Sequence, residues 1–138
     1  MWYNFWKINK KGYRLLLIGK IDKNKIGKYA SKIKSEDIVL TNERRIHIFR
    51  NHQNDYNVIM KNIARIIENP DEVLEDNKNK DTLFFIGKLN KNNLNIVIKL
   101  NTTNSKEHPN NSIMTAWIIR EKNLKKAREK NNTIYKME

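Results

Sequence analysis

The sequence predicts an α+β fold in which N-terminal helices pack on a small antiparallel β-sheet. Three observations lead to this expectation. Two segments with helical character cover residues 42–51 and 55–68. An apolar strand pair follows over 83–89 and 94–100, and a third strand rich in β-branched and aromatic residues over 112–119. Helices followed by neighbouring strands are typical of the α+β class.

Both helices carry signals for where they begin or end. Thr41 is a suitable N-cap for the first helix, and Glu43 in its first turn suits the helix dipole. Proline disfavours helical backbone in the residue before it, so Pro70 ends the second helix. The second helix has apolar residues at helical spacing, which predicts one buried face. These residues are Ile59, Ile63, Ile66 and Ile67.

The strand predictions rest on short apolar runs and on alternation. In 94–100 the apolar positions alternate with Asn95, Val97 and Lys99, so Lys99 is expected to point away from the core. By the same rule Thr115 is expected on one face with Ile113 and Trp117. Other segments are assigned from short apolar runs, turn-forming residues and composition. They are a strand over 13–21, a turn with a short helix over 22–31, extended segments over 38–40 and 72–75, a turn over 90–93, and a helix over 120–131.

Length and composition indicate one domain over residues 1–138, with 1–12 as an N-terminal extension. The chain has no cysteine, which excludes disulfides and thiolate zinc sites. It has no apolar run of membrane-spanning length, and its aromatic start lacks the pattern of a signal peptide. A cytoplasmic location without membrane association is therefore expected, and delivery into a target cell by a fused carrier stays open.

The charge balance is strongly basic. Lys and Arg number 28 against 15 Asp and Glu, a formal net charge of +13. Self-repulsion of this size opposes folding, and a polyanionic partner is the simplest reason to keep it. Nucleic acid is favoured because Lys and Arg contacts to phosphate supply most non-specific affinity. The alternative is that the charge serves solubility alone.

Several kinds of chemistry lack their usual signature. The acidic residues are scattered over turns and ends rather than grouped as a two-metal site needs. Neither a glycine-rich phosphate loop nor a nucleophile elbow occurs. His47, His52 and His108 lack the i,i+4 spacing of a helical zinc site. The sequence therefore predicts no metal and no cofactor.

The histidines and one lysine remain as candidates for catalysis. His47 and His52 are five residues apart, about 140° of helical rotation, so their rings would not share a face. Arg45 would share a face with His52 if the helix continued that far. Histidine beside basic residues suits proton transfer and stabilisation of phosphate charge. The alternatives are a histidine that caps a helix, a solvent-exposed Lys99 and a structural Thr115.

Two stretches of the sequence resemble one nuclease family in their order and spacing. One is the segment 38–52, which includes His47-Ile48-Phe49-Arg50-Asn51-His52. The other begins at Asn69-Pro70 and continues through the strand pair to Asn111-Ser112-Ile113-Met114-Thr115-Ala116-Trp117. Over about residues 15–126 the chain resembles the barnase–EndoU–colicin–RelE-like nucleases of phages and mobile elements.

The resemblance implies an RNA-cleaving toxin or effector that needs no metal, with attack by the ribose 2′-hydroxyl on the adjacent phosphate. It implies His52 as general acid or base, with His47 as a second catalytic or supporting histidine. Lys99 would stabilise phosphate charge, and Ser112 and Thr115 would bind the phosphate or orient a catalytic group. The remaining substrate-binding candidates carry cations or an aromatic ring that can stack on a base. They are Arg45, Arg50, Arg120 and Trp117.

The expected partners are RNA, with tRNA as one candidate, and an acidic antitoxin or immunity protein that covers the basic surface. Two other functions remain open. One is a nucleic-acid-binding protein of a phage or mobile element that has no catalytic activity. The other is a structural or interaction protein whose charge reflects genome composition.

Overall fold

A computed structural model describes residues 6–8, 14–103 and 110–138, with backbone alone for 6–8. The described part forms eight strands and three helices. In chain order they are β1 (Trp6–Ile8), β2 (Arg14–Lys20), β3 (Asp37–Thr41), α1 (Asn42–Asn51), α2 (Tyr56–Glu68), β4 (Glu72–Glu75), β5 (Thr82–Lys88), β6 (Asn93–Lys99), β7 (Asn111–Ile119), α3 (Glu121–Lys130) and β8 (Asn132–Lys136). The predicted short helix over 22–31 is two 3₁₀ turns, Lys23–Lys25 and Gly27–Ser31.

All eight strands belong to one sheet, in the order β1-β2-β3-β7-β6-β5-β4-β8. Neighbouring strands are antiparallel except β3 and β7, which run parallel through Ile38 opposite Asn111 and Val39 opposite Ser112. The α+β class is confirmed, but the expected small antiparallel sheet with N-terminal helices is corrected. The sheet is large and mixed, and three of its strands precede the first helix.

Helix α1 begins and ends at the residues that the sequence predicts. The Thr41 hydroxyl accepts a hydrogen bond from the backbone N–H of Arg44 over 3.2 Å, as an N-cap does. Helix α2 ends at Glu68, two residues before Pro70. Its four predicted core isoleucines are at most 1% exposed. They join Ile48 of α1 in one apolar cluster with the sheet.

Helices α1 and α2 cover one face of the sheet, which we call the helical face. Strand residues that point to this face include Ile96 and Ile98 of β6 and Ile113 and Ala116 of β7. Helix α1 packs against β7 and against β2 and β3. The main core therefore lies between these two helices and the middle of the sheet.

Helix α3 packs on the opposite face. Its Leu124 is 1% exposed and lies in a second apolar cluster with Ile86 and Ile119, against which Trp117 also packs. The Arg128 guanidinium fixes this helix by a two-point contact with the buried Glu72 of β4, at 2.9 and 2.7 Å. Side chains of β6 and β7 that point away from the helical face therefore lie on the same side of the sheet as α3 and Trp117.

Candidate functional site

Lys99 and Ser112 lie directly opposite each other on neighbouring strands. The register of β6 and β7 pairs them, and directly opposite side chains in antiparallel strands are close enough to interact. Ile98 and Ile113, the next pair, point to the helical face. Lys99 and Ser112 therefore point to the face that carries α3, as the alternation predicts for Lys99.

A bulge in β7 turns Thr115 to the same side. Val97 lies opposite Thr115 while Ile98 lies opposite Ile113, so Met114 is an extra residue in β7. The expectation that Thr115 shares a face with Ile113 is wrong, because it assumed unbroken alternation. Thr115 does share a face with Trp117, which lies opposite Asn95. We call Lys99, Ser112 and Thr115 the Lys99 cluster.

The chain before β5 holds the ammonium group of Lys99. Its Nζ donates a short hydrogen bond to the backbone carbonyl of Lys80. Asp81 has a positive φ of 56°, and its carbonyl accepts from the N–H of Leu100 over 2.8 Å. An ammonium group has three donors. Lys99 is exposed, so donors remain for a ligand in addition to the contact with Lys80.

Asn111 anchors the beginning of β7, one residue before Ser112. Its side chain is 0% exposed, and Nδ2 donates to the carbonyls of Ser35 at 2.7 Å and Asp37 at 3.0 Å. Its Oδ1 accepts from the N–H of Asn101 at 2.9 Å. The amide thus joins β3, β7 and the chain after Lys99. Asn111 lies in the segment that resembles the nuclease family, but the sequence alone predicted no role for it.

Helix α3 adds positive charge on the same face as the Lys99 cluster. Leu124 is its buried residue, and its solvent side is rich in exposed lysines. They are Lys122, Lys125, Lys126 and Lys130. Clustered lysines beside an open sheet face are typical of an electrostatic footprint for a polyanion.

The two predicted catalytic histidines lie on α1 and at its end. His47 is exposed and shares a hydrogen bond with Asn51 over 3.2 Å. His52 is the C-cap, and its N–H donates to the carbonyl of Ile48 over 2.9 Å. Within the described residues no hydrogen bond joins either ring to the Lys99 cluster. The histidines belong to the helical layer, and the cluster lies on the other face.

The strand arrangement does bring α1 near one edge of the site. Strand β3 ends at Thr41, whereas β7 continues to Ile119. The paired residues of β3 and β7 are limited to the first two residues of β7. Helix α1 packs against β7, so it lies beside the strand that carries Ser112 and Thr115.

The predicted substrate-binding residues are distributed over both layers. Arg45 donates to the Tyr56 hydroxyl at 3.1 Å and to Asn42 at 3.1 and 3.2 Å. Arg50 is exposed on the last turn of α1, and Arg120 is the exposed N-cap residue of α3. Trp117 is half-buried against the cluster under α3.

The part of the chain that the structure describes holds no group of three or more His, Asp or Glu placed to bind a metal ion. His108, the third histidine considered as a zinc ligand, lies outside the described residues. In the same part of the chain, no helix has the length and apolar character needed to cross a membrane.

Fold and site together define a class. This is a basic α+β domain whose sheet face carries a lysine, a serine and a threonine on two neighbouring strands, residue types that are suited to binding phosphodiesters. The chain belongs to the phage barnase–EndoU–colicin E5/D–RelE-like nuclease 2 family, whose sequence profile matches residues 15–136. This confirms the suspected family. No curated protein and no solved structure shows a significant match to the chain.

Proposed function

We propose that the protein is an endoribonuclease that acts as a toxin or effector and cleaves RNA without a metal ion. The observation that carries the proposal is the position of Lys99 directly across from Ser112, with Thr115 on the same face. A single phosphate could contact an ammonium group and two hydroxyl groups there. Membership of a nuclease family and the net charge of +13 support the same conclusion.

In the proposed reaction the ribose 2′-hydroxyl is the nucleophile. A base takes its proton, the 2′-oxygen forms a bond to the adjacent phosphorus, and the bond from phosphorus to the 5′-oxygen breaks. The departing 5′-oxygen receives a proton from an acid. The products are a 2′,3′-cyclic phosphate and a 5′-hydroxyl, and no external oxidant, reductant or cofactor is required.

Each group of the cluster has a part in this scheme. Lys99 neutralises the charge that grows on the non-bridging oxygens, the kind of electrostatic stabilisation that contributes most to many enzymes. The hydroxyls of Ser112 and Thr115 donate hydrogen bonds to the phosphate. Because the cluster contains no strong base, proton transfer is assigned to His52, with His47 as the second or supporting histidine.

The assignment of His52 requires RNA to pass over the edge of β7. Helix α1 lies beside this strand, so a phosphodiester that crosses the edge can contact the helix and the sheet face together. Arg50 and Arg45 on α1, and Arg120 at the start of α3, would bind the backbone on the two sides. Trp117 would stack on a base.

The proposal has consequences for partners and location. RNA is the proposed substrate, with tRNA as one candidate. A toxin requires an acidic antitoxin or immunity protein, attracted by charge complementarity. We place its action in the cytoplasm of the producing cell or of a target cell.

The first experiment incubates purified protein with total tRNA and ribosomal RNA in excess EDTA. We expect fragments that end in a 2′,3′-cyclic phosphate. Lys99→Ala and His52→Ala should lower the rate at least about a hundredfold, the usual scale for acid–base or electrostatic groups. Lys61→Ala, which removes an exposed charge from α2 on the other side of the sheet, is the control and should change it less than about threefold.

Two results would reject parts of the proposal. RNA that stays intact at micromolar folded protein would reject the enzyme. Full activity of His52→Ala with loss in Lys99→Ala would reject the histidine and keep the cluster.

A second candidate function is a nucleic-acid-binding protein without catalytic activity. The observation that favours it is the position of His47 and His52 in the helical layer, with no hydrogen bond to the cluster among the described residues. Salt-dependent RNA binding without any product would select this function.

A further inference from the structure

A cavity of about 670 Å³ lies between α2 and the connection from β5 to β6. Its walls combine cations, amides and apolar groups. They include Arg65, Lys88, Lys91, Asn62, Val58 and Ile118. A volume of this size accommodates a small organic ligand rather than a single ion.

The guanidinium of Arg65 is held in place at one side of the cavity. Its Nη2 donates to Asn62 Oδ1 at 2.9 Å and to the backbone carbonyl of Lys88 at 3.3 Å. Asn62 is in turn held by its own bond to the carbonyl of Val58 at 2.8 Å. Within the described residues, Nε and Nη1 of Arg65 have no partner. A guanidinium fixed in this way presents its remaining donors to a phosphate at little cost in entropy.

The lining contains three cations and no carboxylate. Asp71, which contacts Lys88, is not part of the lining and is engaged by the backbone N–H of Lys88 at 2.6 Å. The apolar side is also accessible, because Val58 is 42% exposed although it is a large apolar residue. Positive charge beside an open apolar wall suits a ligand that carries a phosphate and a flat ring.

This cavity is separate from the Lys99 cluster. Strand β6 begins at Asn93, next to the cavity, and ends at Lys99, so about 20 Å separates the two ends at strand geometry. Ile118 packs toward the helical core, whereas Lys99 points to the face with α3. A ligand in the cavity therefore cannot touch the cluster, and a bound RNA would need several nucleotides to reach both.

We propose that this cavity binds one nucleotide unit of an RNA strand, away from the site of cleavage. The phosphate contacts Arg65, Lys88 and Lys91, and the base lies against Val58 and Ile118. The Asn62 amide and the neighbouring asparagines of the turn face the edge of the base. The identity of the strand as RNA rests on the proposed function, whereas a nucleotide as ligand rests on the cavity itself.

The test measures binding with an RNA that cannot be cleaved. A fluorescent hexamer of 2′-O-methyl nucleotides lacks the attacking hydroxyl, so binding is read by anisotropy whether or not the protein is an enzyme. Arg65→Gln should weaken binding about tenfold, the loss of one charge-assisted hydrogen bond. It should also lower the salt slope by about 0.7, the value for one phosphate of a single strand.

Matched variants make the result specific. Arg14→Gln removes the same charge from an exposed position on β2 and should weaken binding less than about twofold. Lys91 also lines the cavity and lies in an exposed turn. Lys91→Gln therefore tests the cavity even if Arg65→Gln fails to fold. Equal effects of Arg14→Gln and the cavity variants would overturn the proposal. So would displacement of the hexamer by inorganic phosphate at matched ionic strength, which would leave an anion site only.

The outcomes separate this inference from the proposed function. If no RNA is cleaved but Arg65→Gln weakens hexamer binding, the cavity stands without the enzyme. If RNA is cleaved and the cavity variants bind the hexamer like the unaltered protein, the cavity is rejected and the enzyme stands.

Discussion

The side-chain amide of Asn111 donates a hydrogen bond to the backbone carbonyl of Ser35 over 2.7 Å, although 76 positions separate the two residues. A second bond, to the carbonyl of Asp37, is 3.0 Å long. Both lie at the point where β3 and β7 run parallel. The position of Ser112, and with it one side of the Lys99 cluster, depends on this amide.

Asn111→Ala is expected to destabilise the fold by about 3 kcal/mol, because it leaves two partly buried carbonyl groups without their donor. Urea denaturation measures the loss. Asn110→Ala, which removes the neighbouring amide and none of these bonds, should change stability by less than about 0.5 kcal/mol. Similar losses for the two variants would show that the amide of Asn111 has no special part.

The pair of Glu75 and Tyr29 should make stability depend on acid pH. The Tyr29 hydroxyl donates a short hydrogen bond to the Glu75 carboxylate, and Lys28 Nζ lies 3.0 Å from it. The Tyr29 bond, with Lys28 as the next contribution, lowers the pKa of Glu75 below its ordinary value of 4.5. A lowered folded pKa gives stability that is complete above the unfolded value and is lost as pH falls through the folded one.

Tyr29→Phe removes that bond and should flatten this acid limb. Unfolding free energies measured by urea from pH 7 to pH 3 should show a difference between the two proteins that shrinks as pH falls. Parallel curves would contradict the assignment.

The same contact should also make stability depend on alkaline pH. Burial, with Glu75, raises the pKa of Tyr29 well above 10.0, so its contribution is complete below that value and is lost at higher pH.

Gly87 of β5 has no room for a side chain. A Cβ there would lie 2.7 Å from Cδ1 of Ile66, and Ile66 is 0% exposed, so it cannot move away. Gly87→Ala should cost about 1–3 kcal/mol by overpacking. Gly19→Ala is the matched control, since its Cβ would meet the end of the flexible Glu68 side chain at 3.2 Å. Thermal or urea unfolding should show a larger loss of stability for Gly87→Ala than for Gly19→Ala. Equal losses would count against close packing at Gly87.

Arg128 and Glu72 connect α3 to β4. Glu72 is 5% exposed, so Arg128→Ala leaves a buried carboxylate without its cation and should cost about 3 kcal/mol. Arg128→Lys should recover only part of this, because lysine lacks the two-point geometry. Lys130→Ala on the same helix is the control. A loss of stability in Lys130→Ala as large as in Arg128→Ala would contradict the prediction, which urea denaturation checks.

Local signals predicted the helical part of the fold well. Thr41 and Pro70 mark the ends of α1 and α2, and the periodicity of the isoleucines predicted their buried face. Strand β4 begins and ends as predicted. These features depend on residues within one or two turns of each other, which a single sequence displays directly.

Non-local features were missed. Strand β8 is short and half-exposed, with no apolar run to reveal it, and it pairs with β4 across more than fifty residues. The parallel pairing of β3 and β7 depends on Asn111, whose burial nothing in its neighbourhood predicts. The expected small antiparallel sheet was wrong for this reason.

The candidate site shows the same contrast between what local sequence signals predict and what they miss. Alternation along β6 placed Lys99 on the face away from the core, as the structure has it. Alternation along β7 was wrong for Ile113 and Thr115, because one extra residue at Met114 changes the face. A bulge leaves no simple mark in the sequence.

The parallel junction of β3 and β7 also has a consequence for biosynthesis. On the ribosome, the first third of the chain must wait for Asn111 to emerge before it can join the rest of the sheet. Ser112 reaches Lys99 at the same stage. Contacts between such distant segments slow folding, so the Lys99 cluster cannot assemble on a nascent chain until Ser112 has left the ribosome.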